Sequence, residues 1–270
     1  ELKEFDKFLR SPYLTEGKNI RSKLLYDYFC IMAEFYPEFS DVKMNKRTIF
    51  NKLYPDKQYS GVLIRRLDSD LSKLAIEFIN YEEYKKNTAE LSIGTLSALS
   101  KRKLDKLFLK NITAAENIIS AEKYNSSHYY YKQQVSSIKN NFAYVKDDWL
   151  KIYDIPSEAD NYIKYTLCRA LEIYRNIKND KAILNLEYNT QFFEYLLPYI
   201  KANDTIIKND DYIAMHYYEI MLNTDKKDDY YYKLKEVKNK LISRLSEETI
   251  RNLYITLVNY CIRKTNSGYE

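Results

Sequence analysis

Two histidines are the residues best equipped for acid–base or metal chemistry. They sit among tyrosines, in Ser127-His128-Tyr129-Tyr130 and Met215-His216-Tyr217-Tyr218. A zinc site needs a second His about four positions on, or cysteines in a C-x-x-C pair, and neither histidine has that company. The two could still converge in space, but packed or partly exposed side chains are the expectation. Nucleophilic catalysis finds no support either. There is no Gly-x-Ser-x-Gly, no Ser-x-x-Lys with its supporting motifs, and no Cys beside a base. Gly17, Gly61, Gly94 and Gly268 are too scattered to form a loop that cradles phosphate. Acids pair at Asp147-Asp148, Asp210-Asp211 and Asp228-Asp229, each beside a helical run. There a carboxylate satisfies unpaired N–H groups and opposes the helix dipole, so capping is the expected role. The expectation is therefore no catalytic residue, no metal and no cofactor.

Two other groups of residues point to binding. From Lys43 to Lys73, eight basic residues face only Asp56, Asp68 and Asp70, which accounts for the whole formal excess of +5. A short helix near Lys46–Tyr54, a turn through Pro55-Asp56-Lys57-Gln58 and a longer helix bearing Arg65 and Arg66 make a helix–turn–helix-like unit. In DNA readers of that type the second helix enters the major groove while Lys and Arg neutralise phosphates. Lys46, Arg47, Lys52, Lys57, Arg65 and Arg66 are the candidate contacts. Asp68 and Asp70 would repel phosphate, so a solvated basic face or a site for an acidic protein partner is favoured over nucleic acid. The second group is aromatic. Among 29 tyrosines, the runs Tyr129-Tyr130-Tyr131, Tyr217-Tyr218 and Tyr230-Tyr231-Tyr232 spread rings around most of a helix circumference. Ordinary packing between helix layers is the favoured reading. The alternative is a recognition surface using Tyr129, Tyr130, Tyr217, Tyr218, Tyr230 and Tyr231, since Tyr is enriched at interface hot spots.

The elements that hold these residues are helices. With 4 Gly and 5 Pro in 270 residues, the chain lacks the turn residues of β-sandwiches and the glycines of dinucleotide folds. Hydrophobic residues make up 45% and charged residues 30%, the balance of a soluble globular protein rather than a disordered one. No apolar run approaches the length of a bilayer span, and the start at Glu1 shows no basic region followed by an apolar core. Cys30, Cys168 and Cys261 are an odd, widely spaced set, expected as buried free thiols in the cytoplasm.

Apolar residues recur at helical spacing throughout. Leu2, Phe5, Phe8 and Leu9 predict a helix stopped by Ser11-Pro12. Asn19 would cap a second, ending before Pro37. Leu63, Leu67, Leu71, Leu74 and Phe78 form the clearest stripe, with Arg65, Arg66, Asp68 and Lys73 on the outward side. Later stripes include Leu104 to Ile119 and Tyr131 to Trp149. Ser157 with Asp160 is read as a capping-box variant, and further helices are expected near 180–201, 210–223, 228–245 and 247–264.

Eleven or twelve helices with short, polar junctions suit an all-α fold. Antiparallel hairpins stacked as a short α-solenoid (87–270) would follow a smaller N-terminal helical subdomain (1–86). The segment Ile163-Lys164-Tyr165-Thr166-Leu167-Cys168-Arg169-Ala170-Leu171-Glu172-Ile173-Tyr174 resembles one helix of a tetratricopeptide-type repeat. The likeness is architectural: the Trp-Leu-Gly-Tyr framework is absent, and no functional residue is carried over. The expected function is a non-enzymatic scaffold or adaptor binding another protein, with nucleic-acid docking through residues 43–73 as the alternative and no membrane partner.

Overall fold

The computed structural model describes residues 1–11, 20–39, 44–125, 127–145, 152–184, 187–225, 227–266 and 268. Pro12, Asn19, Lys43, Asp147, Asp148 and Trp149 therefore lie outside the described residues. Those described form an all-α fold of thirteen helices without a strand: α1 (Leu2–Leu9), α2 (Ile20–Ala33), α3 (Lys46–Leu53), α4 (Gly61–Lys86), α5 (Thr88–Lys101), α6 (Asp105–Ala121), α7 (His128–Tyr144), α8 (Ile155–Leu184), α9 (Gln191–Ala202), α10 (Thr205–Asn209), α11 (Asp211–Thr224), α12 (Asp228–Leu241) and α13 (Glu247–Asn266). A 3-10 turn, Ile242–Arg244, follows α12. No helix among the described residues is long and apolar enough to cross a membrane.

The chain divides into two compact units, Glu1–Thr88 and Ala89–Glu270. In the first, α2, α3 and α4 bury Leu25, Tyr28, Ile49, Phe50, Ile64 and Leu67. The Asn45 side chain caps α3 by accepting from the Arg47 N–H at 2.9 Å. Pro55, which cannot donate, follows its end. Aromatic contacts tie α1 to α4, with Phe5 and Phe8 at 5.3 and 5.5 Å from Phe78. The expected stripe on α4 faces the core, with Leu67 and Phe78 buried and Leu63, Leu71 and Leu74 partly covered against it, and Ile64 is buried beside them. Asp68 does not point outward with Arg65 and Arg66. It accepts a hydrogen bond from the Tyr28 hydroxyl of α2.

The second unit holds two clusters of buried residues. In one, α5, α6 and α7 contribute Leu96, Phe108, Ile112, Val135 and Phe142, with Phe108 and Phe142 stacked at 4.0 Å. The larger cluster is built around α11, where ten residues including Tyr212, Ile213, Met215, Ile220 and Leu222 are buried. A helix covered nearly all round must be apolar nearly all round. α8, α10, α12 and α13 pack against it.

The start of α8 departs from the sequence reading. Ile155-Pro156-Ser157 is its first turn, where proline suits a position whose N–H would be unpaired. The cap is Asp154, which accepts from the Ser157 N–H at 3.1 Å, not Ser157. Asn140 of α7, 4% exposed, clamps this turn. It accepts from the Asp154 N–H at 2.7 Å and donates to Asp154 O at 3.2 Å and to Glu158 at 2.7 Å. The helix expected over 180–201 is broken, because residues 187–190 are non-helical. There the Asn189 side chain accepts from the Gln191 N–H at 3.1 Å and Thr190 donates to Glu194 at 2.8 Å, local bonds that compete with a continuous helix.

Candidate functional site

Two polar side chains interrupt the apolar surface of α11, His216 and Glu219, which are 3% and 1% exposed. A carboxylate this deep needs partners. The Arg175 guanidinium of α8 lies 3.0 Å from Glu219, and the Thr256 hydroxyl of α13 donates to it at 3.1 Å. One carboxylate thus ties three helices together. His216 lies 3.6 Å from Glu172 and 3.7 Å from Glu219, beyond hydrogen-bond distance, and packs edge-on against Tyr212. Burial alone would raise the Glu219 pKa. The His216 imidazole and the Arg175 guanidinium beside it outweigh burial and hold it below the ordinary carboxylate value.

Beside this hub, α8 and α13 wall a groove of about 590 Å³ with α11 at its floor. Five asparagines line it: Asn176 and Asn179 on α8, Asn223 on α11, and Asn252 and Asn259 on α13. Asn223 is committed to the floor, accepting from Arg263 at 2.8 Å and donating to Glu219 O at 3.2 Å. The other four carboxamides make no hydrogen bond to a described residue, and all are at least partly exposed. Each Asn carries one acceptor and two donors, while each peptide unit carries one donor and one acceptor. A row of free carboxamides is therefore complementary to a polypeptide main chain. Arg175 brings little net charge, because Glu219 neutralises it.

The residues singled out from sequence fall elsewhere. Lys46, Arg47, Lys52, Lys57, Arg65 and Arg66 are all exposed on α3, α4 and the turn between them. Lys52 pairs with Glu34 at 2.9 Å, Arg47 stacks on Tyr59 at 5.6 Å, and Lys57 lies 4.8 Å over Tyr54. Tyr129 and Tyr217 are 5% and 3% exposed and offer no surface, because the larger cluster of the second unit covers them. Tyr130 is exposed beside Tyr165 at 5.4 Å, and Tyr218 and Tyr230 lie 6.1 Å apart, both half-buried. Tyr231 stacks on Tyr260 at 5.1 Å and lines an apolar cleft between α12 and α13.

Of the acid pairs, Asp210 caps α11, accepting from the Tyr212 and Ile213 N–H groups at 3.1 Å. Asp228 and Asp229 open α12, paired to Lys264 at 2.6 Å and Lys233 at 2.6 Å. Cys168 is buried, but Cys30 and Cys261 are exposed, against the expectation for all three. His128 is 2% exposed, packed on Tyr124 with ring centroids 4.4 Å apart.

The groove asparagines were not singled out from sequence, although α13 carries a signal for them. Asn252, Thr256 and Asn259 recur at helical spacing, each one position before a residue of the apolar stripe Leu253, Leu257 and Tyr260, and Arg263 continues the spacing. No protein-family model, no curated protein and no solved structure matches this chain.

Proposed function

We propose that this chain is a non-enzymatic helical-repeat scaffold, its later helices stacked as hairpins in the tetratricopeptide manner, which binds an extended segment of a partner protein. The single observation that carries the reading is the groove between α8 and α13, with four uncommitted asparagine carboxamides over a floor locked by Glu219. Asn252 and Asn259 are two turns apart, about 10.5 Å along the helix axis. That span corresponds to about three residues of extended chain at ~3.1–3.4 Å each. Main-chain recognition asks little of the partner's side chains, which suits an adaptor. Two exposed free thiols fit a reducing compartment such as the cytoplasm.

The test is selection of short peptides against the intact chain, followed by affinity measurements on Asn176→Ala and Asn259→Ala. Each lost carboxamide is expected to weaken binding about tenfold, the worth of one or two neutral hydrogen bonds. Peptides that bind both variants as tightly as the unaltered chain would refute the site.

A second reading, nucleic-acid docking through the basic segment, is favoured by one observation. Asp68 is engaged with Tyr28, so its carboxylate is taken up beside the cations of α4. Retention on a DNA column that falls steeply with salt and vanishes in an Arg65→Glu/Arg66→Glu variant would support it. Free passage at low salt would remove it.

A further inference from the structure

A different site lies on the flank of α13 turned away from the asparagines, where α12 and α13 form an apolar cleft of about 500 Å³. That volume is within the ~300–1,000 Å³ of small-molecule sites. Along α13, Tyr254, Val258 and Ile262 recur every fourth position at 46%, 53% and 51% exposure, with Leu257 and Cys261 beside them. The stripe is apolar, runs for about 12 Å of helix axis and is left uncovered by the described residues. Ile262 alone lines both this cleft and the asparagine groove.

The opposite wall is α12, which presents Tyr231, Lys235 and Lys238 at helical spacing. Lys238 is 8% exposed, and its Nζ lies 4.6 Å over the Tyr254 ring. Among the described residues no carboxylate pairs with Lys238 or with Lys235, and no acid lines the cleft. The acids of α12 face other lysines: Asp228 pairs with Lys264 at 2.6 Å, Asp229 with Lys233 at 2.6 Å and Glu236 with Lys240 at 2.9 Å. Glu247 and Glu248 open α13 and take no part in the lining. An ammonium so far out of water, held by a ring face alone, is short of an anion. The far end of the cleft is different. There the Cys261 thiol donates to the Tyr231 hydroxyl at 3.7 Å, Thr265 donates to Cys261 O at 3.1 Å, and Asn266 stands exposed at the helix end. Positive charge is thus gathered towards one end, and an apolar wall leads away from it.

We propose that this cleft binds a medium-chain free fatty acid, its carboxylate against Lys238 and Lys235 and its alkyl tail along Val258, Cys261 and Ile262. Both lysines are without a counter-charge, and a carboxylate supplies one. The tail would cover the exposed stripe. A single charged head with an apolar remainder matches this layout better than a partner helix, whose acids would be spread along its length.

The experiment is calorimetric titration of the full chain with dodecanoate, octanoate and dodecyltrimethylammonium, each below its micelle concentration. Saturable binding of dodecanoate is expected, with octanoate weaker by about tenfold or more for the methylenes it lacks. Lys238→Met should weaken dodecanoate about tenfold, the worth of one charged hydrogen bond. Lys235→Met, at an exposed position, carries the same test if Lys238→Met does not fold. Val258→Asp, also at an exposed position, should abolish binding by placing a charge in the path of the tail. Cys261 reports the location: saturating dodecanoate should slow its alkylation by iodoacetamide severalfold and leave exposed Cys30 unchanged. An unchanged rate at Cys261, or equal affinity in the unaltered chain and Val258→Asp, would overturn the proposal. Dodecyltrimethylammonium bound as tightly as dodecanoate would overturn the carboxylate assignment. No saturable binding of dodecanoate would overturn the whole, whether the cleft then takes an amphipathic Leu/Glu helical peptide or drives a dimerisation that Val258→Asp abolishes.

Discussion

Glu219 has left water almost completely, and it stays charged because α8 and α13 each send it a donor. Replacing it with Gln keeps the shape but leaves Arg175 beside a neutral amide. Breaking a largely buried pair in this way costs about 3 kcal/mol, which urea denaturation at neutral pH would report. His128 poses the opposite problem. Neither ring nitrogen has a hydrogen-bond partner among the described residues, and burial, followed by Lys132 and Arg244, pushes its pKa down to about 4. An unfolded histidine titrates near 6.5. A depressed folded value means that the stability is fully present above pH 6.5 and is lost as pH falls towards 4, since only the unfolded chain takes up the proton. The loss should amount to about 2–3 kcal/mol. His128→Phe should remove that limb of the pH–stability profile while holding or raising stability at pH 8. A profile unchanged by the substitution would show that His128 is not the group that titrates.

Helix starts in the second unit depend on aspartates with unequal duties. Asp154 caps α8 through one N–H, so Asp154→Ala should cost about 1 kcal/mol. Asp210 caps α11 and also accepts from the buried Tyr129 hydroxyl at 2.5 Å. Its loss would strand that hydroxyl, so Asp210→Ala should cost about 2–3 kcal/mol. Thermal melts of the two variants would rank them, and equal losses would contradict the double role. What the sequence disclosed at this scale was periodicity: the stripes on α4, α6 and α7 follow from 3.6-residue spacing. It did not disclose which Asp or Ser captures a first-turn N–H, because that depends on a partner helix such as the one carrying Asn140. Nor did it disclose that Tyr129 and Tyr217 face inward, because a run of tyrosines has no preferred face until its neighbours are placed. The groove was hidden for a related reason. Asparagines spaced along α13 read as a solvated face until α8 supplies the opposite wall.

At the scale of the whole molecule, the core clusters of buried residues keep to their own units. Leu25, Phe50 and Ile64 belong to residues 1–88, while the clusters around Phe108 and α11 belong to residues 89–270. A unit with its own core can fold alone, so a fragment spanning residues 89–270 should give a helical circular-dichroism spectrum and a cooperative urea transition. A non-cooperative melt would contradict that independence. The functional account rests on recognition of a main chain by asparagine carboxamides, and backbone N-methylation of a bound peptide tests it most directly. Methyl groups placed one at a time on the amides of a selected peptide should abolish binding at two or more positions, while alanine replacement of its side chains changes affinity little. A peptide indifferent to N-methylation but sensitive to every side-chain replacement would contradict the account.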